Sequence, residues 1–182
     1  SFKASSQETL RFNAQVIAQR LSGIGTYANI NLNDLRVRFD GSYDLESHWR
    51  FNFNDLSFKG HDFEFASLGG FFESKYDSSQ NVRYLFFESL DIENLSKFTE
   101  HSNLSQARFV KDLIDLNPRG KLDKFLYEEG QLDTKIKSSL VDFSMNAKNR
   151  IPGIKDLDAV INLNLNDKVF NLIVSDSNGL SI

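Results

Sequence analysis

Leu10, Phe12, Ala14, Val16 and Ala18 alternate with Arg11, Asn13, Gln15 and Gln19, the period of two expected of a half-buried strand. A helical stripe through Leu10, Ala14, Ile17 and Leu21 competes, but it leaves Phe12 and Val16 off the face. The second alternating stretch, Tyr27 to Phe39, changes step midway: Ile30 and Leu32 share one parity, and Leu35, Val37 and Phe39 share the other. The third does the same, with Trp49, Phe51 and Phe53 followed by Leu56 and Phe58. One extra residue turns every later side chain to the opposite face of a strand. Keeping one face apolar therefore predicts a β-bulge at Asn33-Asp34 and another at Asn54-Asp55, each bending its strand. Matched bulges in neighbouring strands curl the sheet about one line.

A fourth strand is expected through Phe63, Phe65, Phe72 and Tyr76, bent at Gly69-Gly70. After the turn "DSSQN", Val82, Tyr84 and Phe86 open a fifth strand that runs towards Ile92. The period then changes. From Asn103 to Asn117, Leu104, Ala107, Val110, Leu113 and Ile114 fall on one helical face, with Pro118 as the stop. Strands resume with "GKLDKFLYEE" and Thr134 to Ala147, where Ile136 gives way to Val141, Phe143 and Met145 in another change of step. Leu157, Ala159, Ile161, Leu163 and Leu165 alternate strictly, and a last strand holds Phe170, Leu172 and Val174. The expected fold is mainly β: a long antiparallel meander of about nine strands, bulged and curled into an open groove, with one amphipathic helix. The whole chain, 1–182, reads as one unit, with strands in 1–100, the helix at 103–117 and strands again in 120–182.

Something must cover the apolar face of such a sheet. One helix is too small. A sandwich ordinarily uses shorter strands with Greek-key connections, whereas mid-strand changes of step suit a closed barrel around one apolar ligand or an open groove. The strand pattern does not separate those two.

Composition narrows the chemistry. The chain has 17 Phe against 2 Pro and no Cys, and its net charge is −4. No basic footprint invites nucleic acid, and thiol catalysis, disulfides and thiolate metal sites are excluded. No apolar run approaches the ~18 residues of a membrane helix. His48, His61 and His101 lack metal-ligand spacing, Glu128-Glu129 are adjacent strand positions on opposite faces, and no nucleophile elbow, P-loop or dinucleotide glycine pattern occurs. The reading is of a non-enzyme with no cofactor. The start "SFKASSQ", without Met or signal pattern, and the end "NGLSI" read as the limits of an internal segment of a longer protein.

Two stretches, "VKDLIDLNPRGKLDKFLYEEG" and "SLVDFSMNAKNRIPGIKDLDAVINLNLNDKVFNLIVSDSNGL", carry a resemblance. A helix ending in L-x-P-R-G-x-L, a strand, and then "DFS…PGIKDLDAVI" resemble the large YhdP-type bacterial proteins of the AsmA-like group, related to TamB. The likeness runs from Val110 to Leu180; upstream, "LNDLRVRFDG" and "FNDLSFKGHDFEF" match only in style. It implies a periplasmic segment of an inner-membrane-anchored protein of the Gram-negative envelope, whose curled sheet conducts phospholipid acyl chains to the outer membrane. Implied partners are phospholipid or another acyl lipid and neighbouring β-groove segments of the same chain, with no nucleic acid and no metal. The expected groove lining is Phe12, Val16, Ile30, Leu32, Leu35, Val37, Phe39, Trp49, Phe51, Phe53, Leu56, Phe58, Phe63, Phe65, Tyr84, Phe86, Val141, Phe143, Ile161, Leu163, Phe170 and Leu172.

Overall fold

The alternating stretches pair with one another in chain order. The computed structural model describes residues 9–22, 31–44, 48–77, 80–100, 114–131, 133–148, 151–167 and 169–174. The strands are β1 (Thr9–Ser22), β2 (Asn31–Asp44), β3 (His48–Lys59), β4 (Glu64–Asp77), β5 (Gln80–Asp91), β6 (Arg119–Glu129), β7 (Thr134–Met145), β8 (Ile154–Asn164) and β9 (Val169–Val174). They form one sheet in the order β1 to β9, every neighbouring pair antiparallel. The sheet does not close into a barrel: β1 and β9 are its two edges. A closed barrel around a single ligand is thereby set aside.

The step changes become a crease. Six L-residues occupy the left-handed region at mid-strand: Asp34 (φ 52°), Asp55 (57°), Ser67 (54°), Lys124 (52°), Asp142 (52°) and Asp156 (51°). Each is followed at once by a large apolar residue: Leu35, Leu56, Leu68, Phe125, Phe143 and Leu157. Three positions before each of these stands another apolar residue on the same face: Leu32, Phe53, Phe65, Leu122, Leu140 and Ile154. Ala18 and Leu21 in β1, and Phe87 and Leu90 in β5, keep the same step of three. Register shifts accompany the crease in β2–β3, β3–β4, β6–β7 and β7–β8. The sheet thus bends along a band crossing eight strands and becomes an open trough.

Polar groups stitch this band from outside. The Ser67 hydroxyl donates to Asp55 Oδ1 (3.0 Å), the Asp142 N–H to Asp158 Oδ1 (2.9 Å) and the Asp156 N–H to Ser144 Oγ (3.1 Å). The bulges at Asp34 and Asp55 stand where parity puts them. In β4 the left-handed residue is Ser67, not a glycine of Gly69-Gly70. Gly70 instead makes room on the inner face. A Cβ there would lie 2.0 Å from the Phe86 carbonyl oxygen and 2.6 Å from the Phe53 ring. Its missing side chain lets that ring lie on the floor of the trough.

β5 ends where expected, but a helix follows it directly: α1, Ile92–Glu100. Asp91 caps it, its Oδ1 accepting the Asn94 N–H at 2.7 Å. The Asn94 side chain in turn accepts the Glu64 N–H (3.2 Å), tying the helix to the start of β4. Ile92, Leu95 and Phe98 form its apolar stripe. Leu95 and Phe98 pack on a core of Phe63, Phe65, Leu68 and Leu90, and Ile92 joins a second core with Leu140, Leu157 and Ala159. Each such buried phenylalanine or leucine contributes about 1.5–3 kcal/mol. The helix expected at 103–117 lies outside the described residues except for its end. There the Asn117 N–H donates to the Ile114 carbonyl (2.8 Å) and Asn117 turns to φ 49° before Pro118.

Candidate functional site

The crease divides the inner face into two halves. On the α1 side, Leu32, Leu56, Phe58 and Leu122 pack around Phe63, Phe65 and Leu90, and the helix lies on this cluster, its Phe98 ring 5.4 Å from Phe63, 6.1 Å from Phe58 and 6.2 Å from Phe65. The other half has no such roof among the described residues. Its floor is a run of rings: Phe12 lies 5.1 Å from Phe51, Phe51 5.0 Å from Trp49, and Trp49 4.8 Å from Phe72. Phe12 also meets Phe39 (6.3 Å) and crosses Gly41, where a Cβ would lie 2.3 Å from the ring. Next to β1, Val16 pairs with Val37, and Ala18 with Leu35.

Register extends this floor across the sheet. Phe53 pairs with Gly70 and Gly70 with Phe87, which in turn pairs with Phe125. Phe72 pairs with Leu85, Leu85 with Tyr127, Tyr127 with Ile136, Ile136 with Leu163 and Leu163 with Phe170. Ser138, Ile161 and Leu172 form the next row, and Leu140 and Ala159 the one beyond. On this half the charged inner positions are Arg83 and Glu129, and they pair with each other at 3.5 Å on the rim. First burial and then the nearby Glu129 carboxylate raise the Tyr127 hydroxyl, which therefore stays neutral. The result is an apolar floor with a polar lip.

Most of the expected lining shares this inner face: Phe12, Val16, Leu32, Leu35, Val37, Phe39, Trp49, Phe51, Phe53, Leu56, Phe58, Phe63, Phe65, Phe143, Ile161, Leu163, Phe170 and Leu172. Ile30 lies outside the described residues. Three residues belong to the opposite face. Tyr84 pairs with Glu73, Phe86 stacks on Phe71 at 5.1 Å, and Val141 pairs with Lys121. The reason is local: "YLFF" and "LV" place apolar residues on both faces, so alternation does not tell in from out. The lining residues of β5 are Leu85 and Phe87, and in β7 Leu140 stands in place of Val141.

The outer face carries the polar chemistry. Glu73, buried beneath its neighbours, receives His48 Nε2 (2.9 Å), Arg50 (3.2 Å) and Lys75 (2.8 Å). Burial raises its carboxyl, but the hydrogen bonds from Lys75 and His48 and the charges of Lys75 and Arg50 outweigh it and hold the group below the usual carboxylate value. Arg50 also lies 3.9 Å over the Phe71 ring. This is a fastening, with one carboxylate holding an imidazole and two cations across β3 and β4. Among the described residues no cluster of three His, Asp or Glu side chains is arranged to hold a metal ion. No helix of the described residues is long and apolar enough to cross a membrane. No family model matches the chain, and neither does a curated protein or a solved structure.

Proposed function

We propose that this chain is a section of a lipid-conducting sheet, in which the unroofed half of the trough carries phospholipid acyl chains between inner and outer membranes across the periplasm. The observation that carries the reading is the aromatic floor of Phe12, Phe39, Trp49, Phe51 and Phe72, which lies open beside a polar lip. Exposing an acyl chain to water costs about 0.8 kcal/mol per CH₂, so a chain of about 16 carbons costs on the order of 13 kcal/mol. A continuous apolar track removes most of that barrier while an open side leaves the headgroup wet. Nine strands about 4.8 Å apart give about 40 Å of track across the sheet. Further strands of the same protein, added at the β1 and β9 edges, lengthen it.

The test is in-cell photocrosslinking in the intact parent protein. A photoreactive residue replaces Phe51, which is 37% exposed on the inner face, or Asn52, which turns outward to Asp40 (3.0 Å). Phospholipid attached at position 51 and not at 52 supports conduction. Lipid at neither, in folded protein, points to a scaffold whose apolar face is packed by protein.

A further inference from the structure

A cleft with no acidic residue in its lining lies at the far ends of β6, β7 and β8. Its volume is about 680 Å³, within the range of small-molecule sites, and it is lined by Asn117, Arg119, Ser144, Asn146 and Lys155 with Met145, Ala147, Gly153 and Ile154. Arg119 pairs with Ser144 across β6–β7, and the Met145–Ile154 pair sets Lys155 beside Ser144 on the other side. Three side chains therefore stand in one row, with the two cations flanking the hydroxyl about 10 Å apart, two strand spacings.

We propose that this row binds a phosphate group. Among the described residues neither Arg119 nor Lys155 forms a close ion pair: the Arg119 charge reaches Glu93, but that carboxylate is bonded to Lys97, and Asp115 is bonded to Lys148. Ser144 Oγ already accepts the Asp156 N–H (3.1 Å), so its own O–H is free to donate into the cleft. An anion thus meets a guanidinium fork, an ammonium, a hydroxyl and amide N–H donors, the set that suits a multi-acceptor oxyanion. The cleft exceeds the size of bare phosphate, so it has room for whatever carries the group. The proposal concerns the strand ends and does not depend on what occupies the trough.

The test uses the 182-residue chain at low ionic strength, titrated with inorganic phosphate and with a short-chain phosphatidylglycerol below its micelle concentration, and followed by amide resonances. Expected are shifts centred on 117–119, 144–146 and 153–155, with at least a tenfold loss of affinity for both probes in Arg119→Gln and in Lys155→Gln. Arg119→Lys retains part of the binding. Tighter binding of the lipid probe than of phosphate makes the source a lipid headgroup, and equal binding makes it a free phosphate; either upholds the site. Equal responses from wild type and both glutamine variants, each folded by circular dichroism, overturn it.

Discussion

Lys124 offers a direct test of the crease, because two lysines three residues apart on β6 should respond oppositely to one substitution. Lys124 is exposed and held at φ 52°, whereas Lys121 is exposed opposite Val141 and is not in the left-handed region. The left-handed region costs an L-residue about 1–2 kcal/mol. Glycine removes that cost but loses about 0.4–1 kcal/mol through the extra freedom of its unfolded chain. Lys124→Gly should therefore stabilise the protein by about 0.5–1 kcal/mol, whereas Lys121→Gly should destabilise it by about the same amount. Lys124→Val, favourable in an ordinary strand, should cost about 1–2 kcal/mol here because β-branching aggravates the clash. Urea unfolding followed by the fluorescence of the one tryptophan, Trp49, measures all three, and a parallel melt should move by about 2–4 °C per kcal/mol. If Lys124→Gly proves no more stable than Lys121→Gly, the crease does not pass through Lys124 and the step of three does not mark it in β6.

Two further outcomes are expected. Phe98→Ala removes the ring that meets Phe58, Phe63 and Phe65, and should cost about 2–4 kcal/mol; hydrogen exchange should then rise in 92–100 while β7 and β8 stay protected. The lowered Glu73 carboxyl contributes stability that is present above its unfolded value of 4.5 and lost as pH falls through the lower folded value. Glu73→Gln should thus be less stable than wild type at neutral pH, with the gap closing below pH 4.5; a gap that stays constant with pH in urea melts would show that the ion cluster adds nothing.

How much of the fold is legible in the sequence depends on whether each strand is apolar on one face or two. In β2 and β3 the polar partners are clean, so parity alone locates Asp34 and Asp55. In β7 the pattern puts the change of step between Ile136 and Val141, whereas the left-handed residue is Asp142, because Val141 is an apolar residue on the outer face. In β5 the run Tyr84-Leu85-Phe86-Phe87 is apolar throughout, because Phe86 stacks on Phe71 outside while Phe87 meets Phe53 inside. Only the neighbours' register resolves it. In β4 the pair Gly69-Gly70 attracts the bend on paper, yet Ser67 holds the left-handed turn and its hydroxyl is bonded to Asp55. The recurring unit, a left-handed residue and then Leu or Phe, stands in the chain as "NDL", "NDL", "ASL", "DKF", "VDF" and "KDL" and is recognisable once the dihedrals are known. α1 escapes detection because nine residues give too few turns for periodicity, although Asp91 before Ile92, Leu95 and Phe98 supplies a cap and a stripe.

Each strand pairs only with its neighbours in sequence, and six of the strands carry a left-handed residue of their own at the crease. Such a sheet is a linear array of hairpins whose stability is approximately a sum of intrinsic and nearest-neighbour terms. Folding can begin at any hairpin and spread one strand at a time, without the slow closure of distant ends that a barrel demands. Length then becomes a free variable at the edges: a hairpin added beyond β1 or β9 leaves the strand pairings already made and the direction of the crease unchanged. The span of such a sheet is set by the number of its strands, with no redesign of the ones already there.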